Sequence, residues 1–423
     1  MSTFITVARK GAKWGAILLI AVILMIGGYL TPFFVLGPEP LEPPQNVDSI
    51  EQLDRYFAAM VEEQQPPAMD VTVLQGGKTV FAKAYGLADG ITGAAATSEH
   101  VYHFWSMTKS FTAVAIFQLI EAGKLSLHDP ITTYLPGFVP IDQSGNPVEV
   151  TVDHVLSHSS GLPDFFFDMY KWLHYPGEPR VGETRMVNER LQDYRTVAWE
   201  PGSQSEYTNI NYVLLGAIIE AVTGGTYEDY VRQEILGPLK METTDFVYRA
   251  DMLDKAAVGT QTHYSFYTAM VELMGPAGGL DGITQKRIDD RHWLKYMYTD
   301  YAASTSLIGT GADMSRFGQM LLNQGELDGV RILSKENAKN VIYGGRLPGY
   351  KEEVRAGKRD LALGYGTKTW VDQGVELVGH GGGGPGYALQ YFVVPEKELV
   401  VVVLTNSSMA RADKLSKLVA SVF

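Results

Sequence analysis

The stretch Phe104-Trp105-Ser106-Met107-Thr108-Lys109-Ser110 sets a serine three residues before a lysine at the point where an apolar helical run begins. Ala113, Val114, Ile116, Phe117, Leu119, Ile120 and Ala122 follow at spacings that predict one broad buried helix face, and Gly123 stands where a left-handed cap closes a helix. Residues three apart share a helix face, so Lys109 lies one turn above Ser106. A serine hydroxyl is a weak nucleophile until a base takes its proton, and a lysine is such a base only when burial or a neighbouring cation keeps it neutral. The helix N-terminus adds N–H groups beside the serine, where an oxyanion would form. Chance supplies roughly one Ser-x-x-Lys in a chain of this length, so the remaining elements have to decide what this one means.

Composition narrows the field. The chain is 45% hydrophobic and 20% charged, which suffices for a packed globular core. Its net charge of −13 argues against nucleic acid as a partner. It has no cysteine, which removes disulfides and thiol nucleophiles from consideration.

The first 47 residues read apart from the rest. Residues 1–13, with Arg9, Lys10 and Lys13, form a basic tail, and residues 14–37 are free of charge for 24 residues. A helix of that length reaches about 36 Å, enough to span a bilayer with tilt. The basic flank predicts a cytoplasmic tail and a single-pass signal anchor in the cell membrane, with everything after Pro38 on the extracytoplasmic side. A cleaved signal peptide is the rival, but Tyr29-Leu30-Thr31-Pro32-Phe33 offers no small-x-small cleavage site. Residues 38–47, with Pro38, Pro40, Pro43 and Pro44, read as a stiff linker.

Residues 48–423 read as one mixed domain. Asp48–Glu63 predicts an amphipathic helix, and Asp70–Leu74 with Thr79–Tyr85 around Gly76-Gly77 predicts a hairpin. Asn211–Val222 and Asp313–Leu322 predict helices; Leu363–Val371, Val375–Gly379, Tyr387–Val394 and Leu399–Leu404 predict strands. Residues 261–303 have no clean periodicity and read as an insertion or lid. The aromatic run Phe165, Phe166, Phe167, Tyr170, Trp172 and Tyr175 reads as loop packing, with pocket lining or membrane contact as alternatives.

Two further constellations carry chemistry. Tyr207-Thr208-Asn209 precedes the Asn211 helix: a tyrosine in a positive field can share its proton, and an asparagine can donate to a carbonyl and accept from an amine. Gly379-His380-Gly381-Gly382-Gly383-Gly384-Pro385-Gly386 precedes a strand, which suits a strand edge where substrate lies close to backbone and does not suit a dinucleotide loop. His154 and His158 are four apart, but Val155 replaces the glutamate of a zinc-protease motif and no third ligand is evident, so no metal is expected and the pair reads as structural.

Taken together, Ser106-Met107-Thr108-Lys109, Tyr207-Thr208-Asn209 and His380-Gly381-Gly382 resemble, in order and spacing, the three signatures of the serine β-lactamase and penicillin-binding-protein superfamily, in its branch of class C β-lactamases, D-alanyl-D-alanine carboxypeptidases and esterases. Leu156–Asp164 and Pro201-Gly202 also resemble it. The resemblance implies an antiparallel sheet flanked by helices, an α/β (α+β) fold built from both chain ends with a mostly helical region inserted. It implies Ser106 as the acylated nucleophile, Lys109 and Tyr207 sharing general-base work, and Asn209, His380, Gly381 and Gly382 contacting substrate. The oxyanion hole would be the N–H groups of Ser106 and Gly383. No cofactor is implied, and the substrate would be a small ester, amide or D-amino-acid peptide; a slowly acylating penicillin sensor or scaffold is the competing function. The third signature departs from the lysine form: His380 is mostly neutral at pH 7 and Gly381 lacks a hydroxyl, so weak binding of carboxylate-bearing substrates is expected.

Overall fold

The computed structural model describes residue 44 and residues 47–165, 168–275, 278–345, 347, 353–354, 356–358 and 360–423. The expected basic tail, the anchor at 14–37 and nearly all of the linker lie outside the described residues. Among the described residues no helix is long and apolar enough to cross a membrane.

The chain's two ends build one antiparallel sheet. β1 (Ala68–Gln75), β2 (Lys78–Asp89) and β3 (Ala94–Ala95) come from the N-terminal side; β4 (Ala362–Leu363), β5 (Lys368–Asp372), β6 (Val375–Gly384), β7 (Tyr387–Val394) and β8 (Leu399–Thr405) come from the C-terminal side. The order is β4-β5-β6-β7-β8-β1-β2-β3, all neighbours antiparallel. The β1–β2 hairpin turns on Gly76 and Gly77, both at positive φ (56° and 76°), as a two-residue turn of this kind requires.

Both faces of the sheet are covered, which explains the unbroken apolar reading of β8. Val400, Val402 and Leu404 enter the large core on one face; Leu399, Val401 and Val403 enter the smaller core on the other. Each such side chain contributes about 1.5–3 kcal/mol by leaving water. The smaller core is closed by α1 (Ile50–Glu62), through Leu53, Phe57 and Met60, and by the C-terminal helix Ala412–Val422, through Leu415, Leu418 and Val419. Ser49 caps α1, its Oγ accepting from Gln52 N at 3.2 Å.

On the larger face lie α2 (Thr108–Glu121), α3 (Ile210–Thr223) and α4 (Gly311–Leu322). The expectation of one broad apolar face for α2 needs correction: Thr108–Phe117 is buried all round. Its hydroxyls are satisfied inside the protein, Ser110 Oγ donating to Gly366 O and Thr112 Oγ1 to Ala303 O, both at 2.6 Å. Such bonds let polar residues occupy a core helix. α4 comes close to β1 because position 311 is glycine; a Cβ there would run into the carboxylate of Asp70.

Residues 261–303 hold regular elements too short for a periodicity to register. Arg291–Leu294 pairs with Thr260–Thr262 on one side and Thr284–Ile288 on the other, with helices Phe266–Met274 and Gly279–Ile283 between. The segment then runs into the short helix Ala302–Thr305, against which α2 and α3 pack. Of the aromatic run, Phe165 joins the main core and Trp172 packs against it, while Tyr170 is buried outside that cluster; Phe166 and Phe167 are outside the described residues.

Candidate active site

Ser106 sits in a single 3-10 turn, Trp105–Met107, that feeds directly into α2. From His100 to Phe117 it is the one residue that is not buried. Trp105, just before it, holds φ at 47°, a left-handed conformation that costs a non-glycine residue about 1–2 kcal/mol. Packing holds it there: the buried indole stacks on His103 with ring centroids 4.4 Å apart. The backbone thus bends sharply before the serine and lifts its hydroxyl to the rim of an otherwise closed core.

Lys109 is fully buried one turn further on. Its Nζ lies 3.2 Å from Ser106 Oγ, 2.9 Å from Asn209 Oδ1 and 3.1 Å from the Ser304 carbonyl oxygen. The Asn209 and Ser304 oxygens can only accept. A neutral amine therefore spends its two N–H bonds on them and turns its lone pair toward the Ser106 hydroxyl. Burial holds the amine well below the ordinary lysine range; the positive charge of Lys368 pushes the same way and the carboxylate of Asp164 opposes it. Geometry and electrostatics both favour the protonation state that a base requires.

Asn209 is kept in that orientation by Asp164, which accepts from Asn209 N at 3.0 Å and from Asn209 Nδ2 at 3.1 Å. One amide N–H is thereby committed, leaving the other free, and Oδ1 faces the lysine, where Ser304 Oγ also donates to it at 2.9 Å. The Ala302–Thr305 turn that carries Ser304 is itself pinned: Ala303 N donates to buried Glu183 at 2.8 Å, and the Ala303 carbonyl takes the Thr112 hydroxyl. Ser304 escapes sequence reasoning because nothing local marks it. Asp164 closes the Leu156–Asp164 stretch already set apart in the sequence.

Tyr207 stands on the other side of the serine. Its hydroxyl is buried with no hydrogen bond of good geometry among the described residues, although Ser106 is close enough to favour the ionised form. Burial outweighs that effect and holds the phenol protonated, well above its usual range. The Tyr207 phenol therefore keeps an O–H to give, while the free lone pair beside Ser106 is that of Lys109. His158, at φ 59°, lies beyond the end of the Val152–Leu156 helix, so it does not share a helix face with His154. His158 Nδ1 accepts from Thr208 N at 3.3 Å and its ring packs on Tyr207 at 4.7 Å, a positioning contact. His154 completes a capping box with Thr151. Among the described residues no group of histidines and acids could hold a metal ion.

The glycine-rich segment forms the second half of β6. β5 pairs with β6 only as far as Lys368 opposite Gly379, while β7 pairs with it up to Gly384, so residues 380–384 have sheet neighbours on one side only. A Cβ at 382 would strike the Phe104 carbonyl, and one at 384 would strike the Trp105 ring; at 383 it would meet nothing within 4 Å. The glycines let this half-strand lie directly against the two residues before Ser106, with one backbone side free. His380 is buried, its ring 5.8 Å from that of Tyr207. Its Nδ1–H donates to the Gly381 carbonyl at 2.6 Å, and burial, aided by Lys368 and Lys109, keeps the ring neutral. The other ring nitrogen of the neutral imidazole is therefore an acceptor, in keeping with the expectation that His380 carries no charge at pH 7. A cation is nevertheless present, supplied by the neighbouring strand: Lys368 Nζ lies 4.1 Å from the centre of the Tyr207 ring, which Lys109 Nζ approaches at 4.8 Å. Sequence reasoning looked for that charge only at position 380.

Ser106, Lys109, Tyr207, Asn209 and His380 thus meet in one cleft, with Gly381, Gly382 and Gly383 along its edge. Protein flp of Staphylococcus aureus (strain N315) is 29% identical over 218 residues, covering 50% of this chain and 41% of that protein. The chain therefore aligns with less than half the length of this curated relative. Penicillin-binding protein 4* of Bacillus subtilis (strain 168) is 26% identical over 346 residues, covering 79% of this chain and 67% of that protein. The octameric penicillin-binding protein homologue from Pyrococcus abyssi superposes with a TM-score of 0.67 at 26% identity, covering 88% of this chain and 77% of that one. The Beta-lactamase family model matches residues 53–422, which takes in every element of the sheet and every residue of the cleft, and the chain belongs to that family.

Proposed function

We propose that the protein is a serine hydrolase that transfers an acyl group from a small ester, amide or D-amino-acid peptide to Ser106 and then to water. The observation that carries this reading is the Lys109 amine, buried, with acceptors for two N–H bonds and its third neighbour the Ser106 hydroxyl at 3.2 Å. In the first step Lys109 takes the Ser106 proton as Oγ attacks the carbonyl carbon. The oxyanion is received by the N–H groups of Ser106 and Gly383, aided by the start of α2. The protonated Tyr207 delivers a proton to the leaving group and is reprotonated at the expense of Lys109, which thereby returns to its neutral form. Water repeats the sequence on the acyl-enzyme. Asn209 steers the acyl side chain while its own oxygen keeps the lysine in place. A lysine with a lowered pKa is a base only above that pKa, so acylation rises with pH through it and fails on the acid side.

The charge-free run at 14–37, behind a basic tail, supports a membrane-anchored placement with the cleft on the extracytoplasmic side.

The test is covalent labelling. Wild type labels at one site with an alkyl fluorophosphonate, and Ser106→Ala does not label while keeping its melting temperature, since a rim hydroxyl contributes little to stability. Lys109→Ala slows labelling by at least about a hundredfold. Stoichiometric labelling of Ser106→Ala would overturn the assignment.

A further inference from the structure

Lys368 is the cleft residue that the acyl-transfer steps leave unused. It is the first residue of β5, paired opposite Gly379, and it ends the stretch over which β5 covers β6. Its ammonium lies over the face of Tyr207, at 4.1 Å, where a ring attracts a cation without neutralising it. It has no carboxylate partner among the described residues, although the chain carries 48 acidic residues against 35 basic ones. As a residue it is only partly covered. The groups that face this region from the surrounding elements are Lys109 on α2, Asp164 before α3, His158, Tyr207 and His380. Asp164 is committed to Asn209, both histidines are held neutral, and Lys109 is turned to Ser106. None of them can serve Lys368 as a counter-charge. Leaving a half-buried ammonium unpaired is costly, and the cost falls when an anion arrives. Beside it runs the unpaired side of Gly381–Gly384, a backbone edge that suits a substrate laid in extended form.

We propose that Lys368 binds an anionic group on the substrate, a carboxylate or its equivalent placed a few bonds from the reacting carbonyl, and so makes the protein selective for acidic acyl compounds. This rests on the acyl-transfer reading of Ser106. It reverses the expectation of weak carboxylate binding drawn from His380, because the charge comes from the strand next door.

The experiment compares two esters of equal length and opposite character, p-nitrophenyl valerate and mono-p-nitrophenyl glutarate, in wild type, Lys368→Met and Lys368→Arg. Removing the charge also alters Lys109, so both rates change, and the quantity read is the ratio of kcat/KM, glutarate over valerate. A charged hydrogen bond lost to the carboxylate lowers that ratio by about ten- to a hundredfold in Lys368→Met, while Lys368→Arg keeps most of it. In wild type the ratio falls as pH rises through about 8, where burial has brought the Lys368 pKa, and it stays flat in Lys368→Met. Fluorophosphonate labelling at Ser106 in all three proteins shows that the cleft is folded and acyl transfer intact. If labelling persists and the ratio is the same in Lys368→Met as in wild type, the anion site is wrong and the acyl-transfer reading survives. If wild type neither labels nor turns over either ester, the acyl-transfer reading falls and takes this proposal with it.

Discussion

At the scale of single residues, the cleft is a set of commitments in which each polar group fixes the next. Lys109 is free to take a proton because Asn209 shows it an oxygen, and Asn209 shows that oxygen because Asp164 accepts from its nitrogen. Asp164→Asn tests the chain of dependence. The isosteric amide can no longer accept at both positions, so Asn209 turns its nitrogen toward the lysine and one amine N–H loses its acceptor. Expected is a ten- to hundredfold fall in kcat/KM, about 1.4–2.7 kcal/mol, with the fold retained, measured on a p-nitrophenyl ester beside a thermal melt. Unchanged kinetics would mean that Asn209 is oriented by Ser304 alone. Ser106, Lys109, Tyr207, Asn209 and His380 were legible because each belongs to a short pattern. Ser304 and Lys368 were not: a four-residue helix with no sequence pattern carries the first to the cleft, and strand register places the second.

Single elements show where pattern reading succeeds and where it stops. Long, strongly patterned stretches such as β8 and α3 were read within a residue or two, because apolar runs and capping glycines report them directly. The glycine run of β6 was read as a strand edge, and the reason only emerges from its neighbour: positions 382 and 384 abut Phe104 and Trp105, whereas 383 abuts nothing. Three adjacent glycines therefore tolerate change unequally. Gly382→Ala is expected to lose about 1–3 kcal/mol in urea unfolding and to impair acylation, because the strand must shift away from the serine turn. Gly383→Ala should stay within about 0.5 kcal/mol of wild type in the same assay. Equal losses at the two positions would show that strand conformation alone, and not the approach to residues 104–105, sets the demand. The short elements within 261–303 were illegible for a simpler reason, since a strand of four or five residues is shorter than the window a period needs.

For the whole molecule, the mixed fold and its assembly from both chain ends were implied by the resemblance that the three ordered signatures carry. The pairing of β1 with β8 was not: no local feature says that Val71 meets Val403. That junction joins residues as far apart as Ala68 and Asn406, 338 positions along the chain, where Asn406 Oδ1 accepts from Ala68 N at 2.7 Å. Closing so long a loop before any contact rewards it is slow, so the molecule is expected to be a late folder. During synthesis the β1–β2 hairpin and α2 must wait, with one strand edge bare, until residues 399–405 have been made. Ending the chain at Glu398 removes β8 and the last helix and should leave a product that aggregates or is degraded, assayed by its share of the soluble fraction and by fluorophosphonate labelling. A soluble, labelled truncation would show that the helical half organises Ser106 by itself. Otherwise the nucleophile becomes reactive only once its far end has arrived, so that an incomplete chain carries the serine without its chemistry.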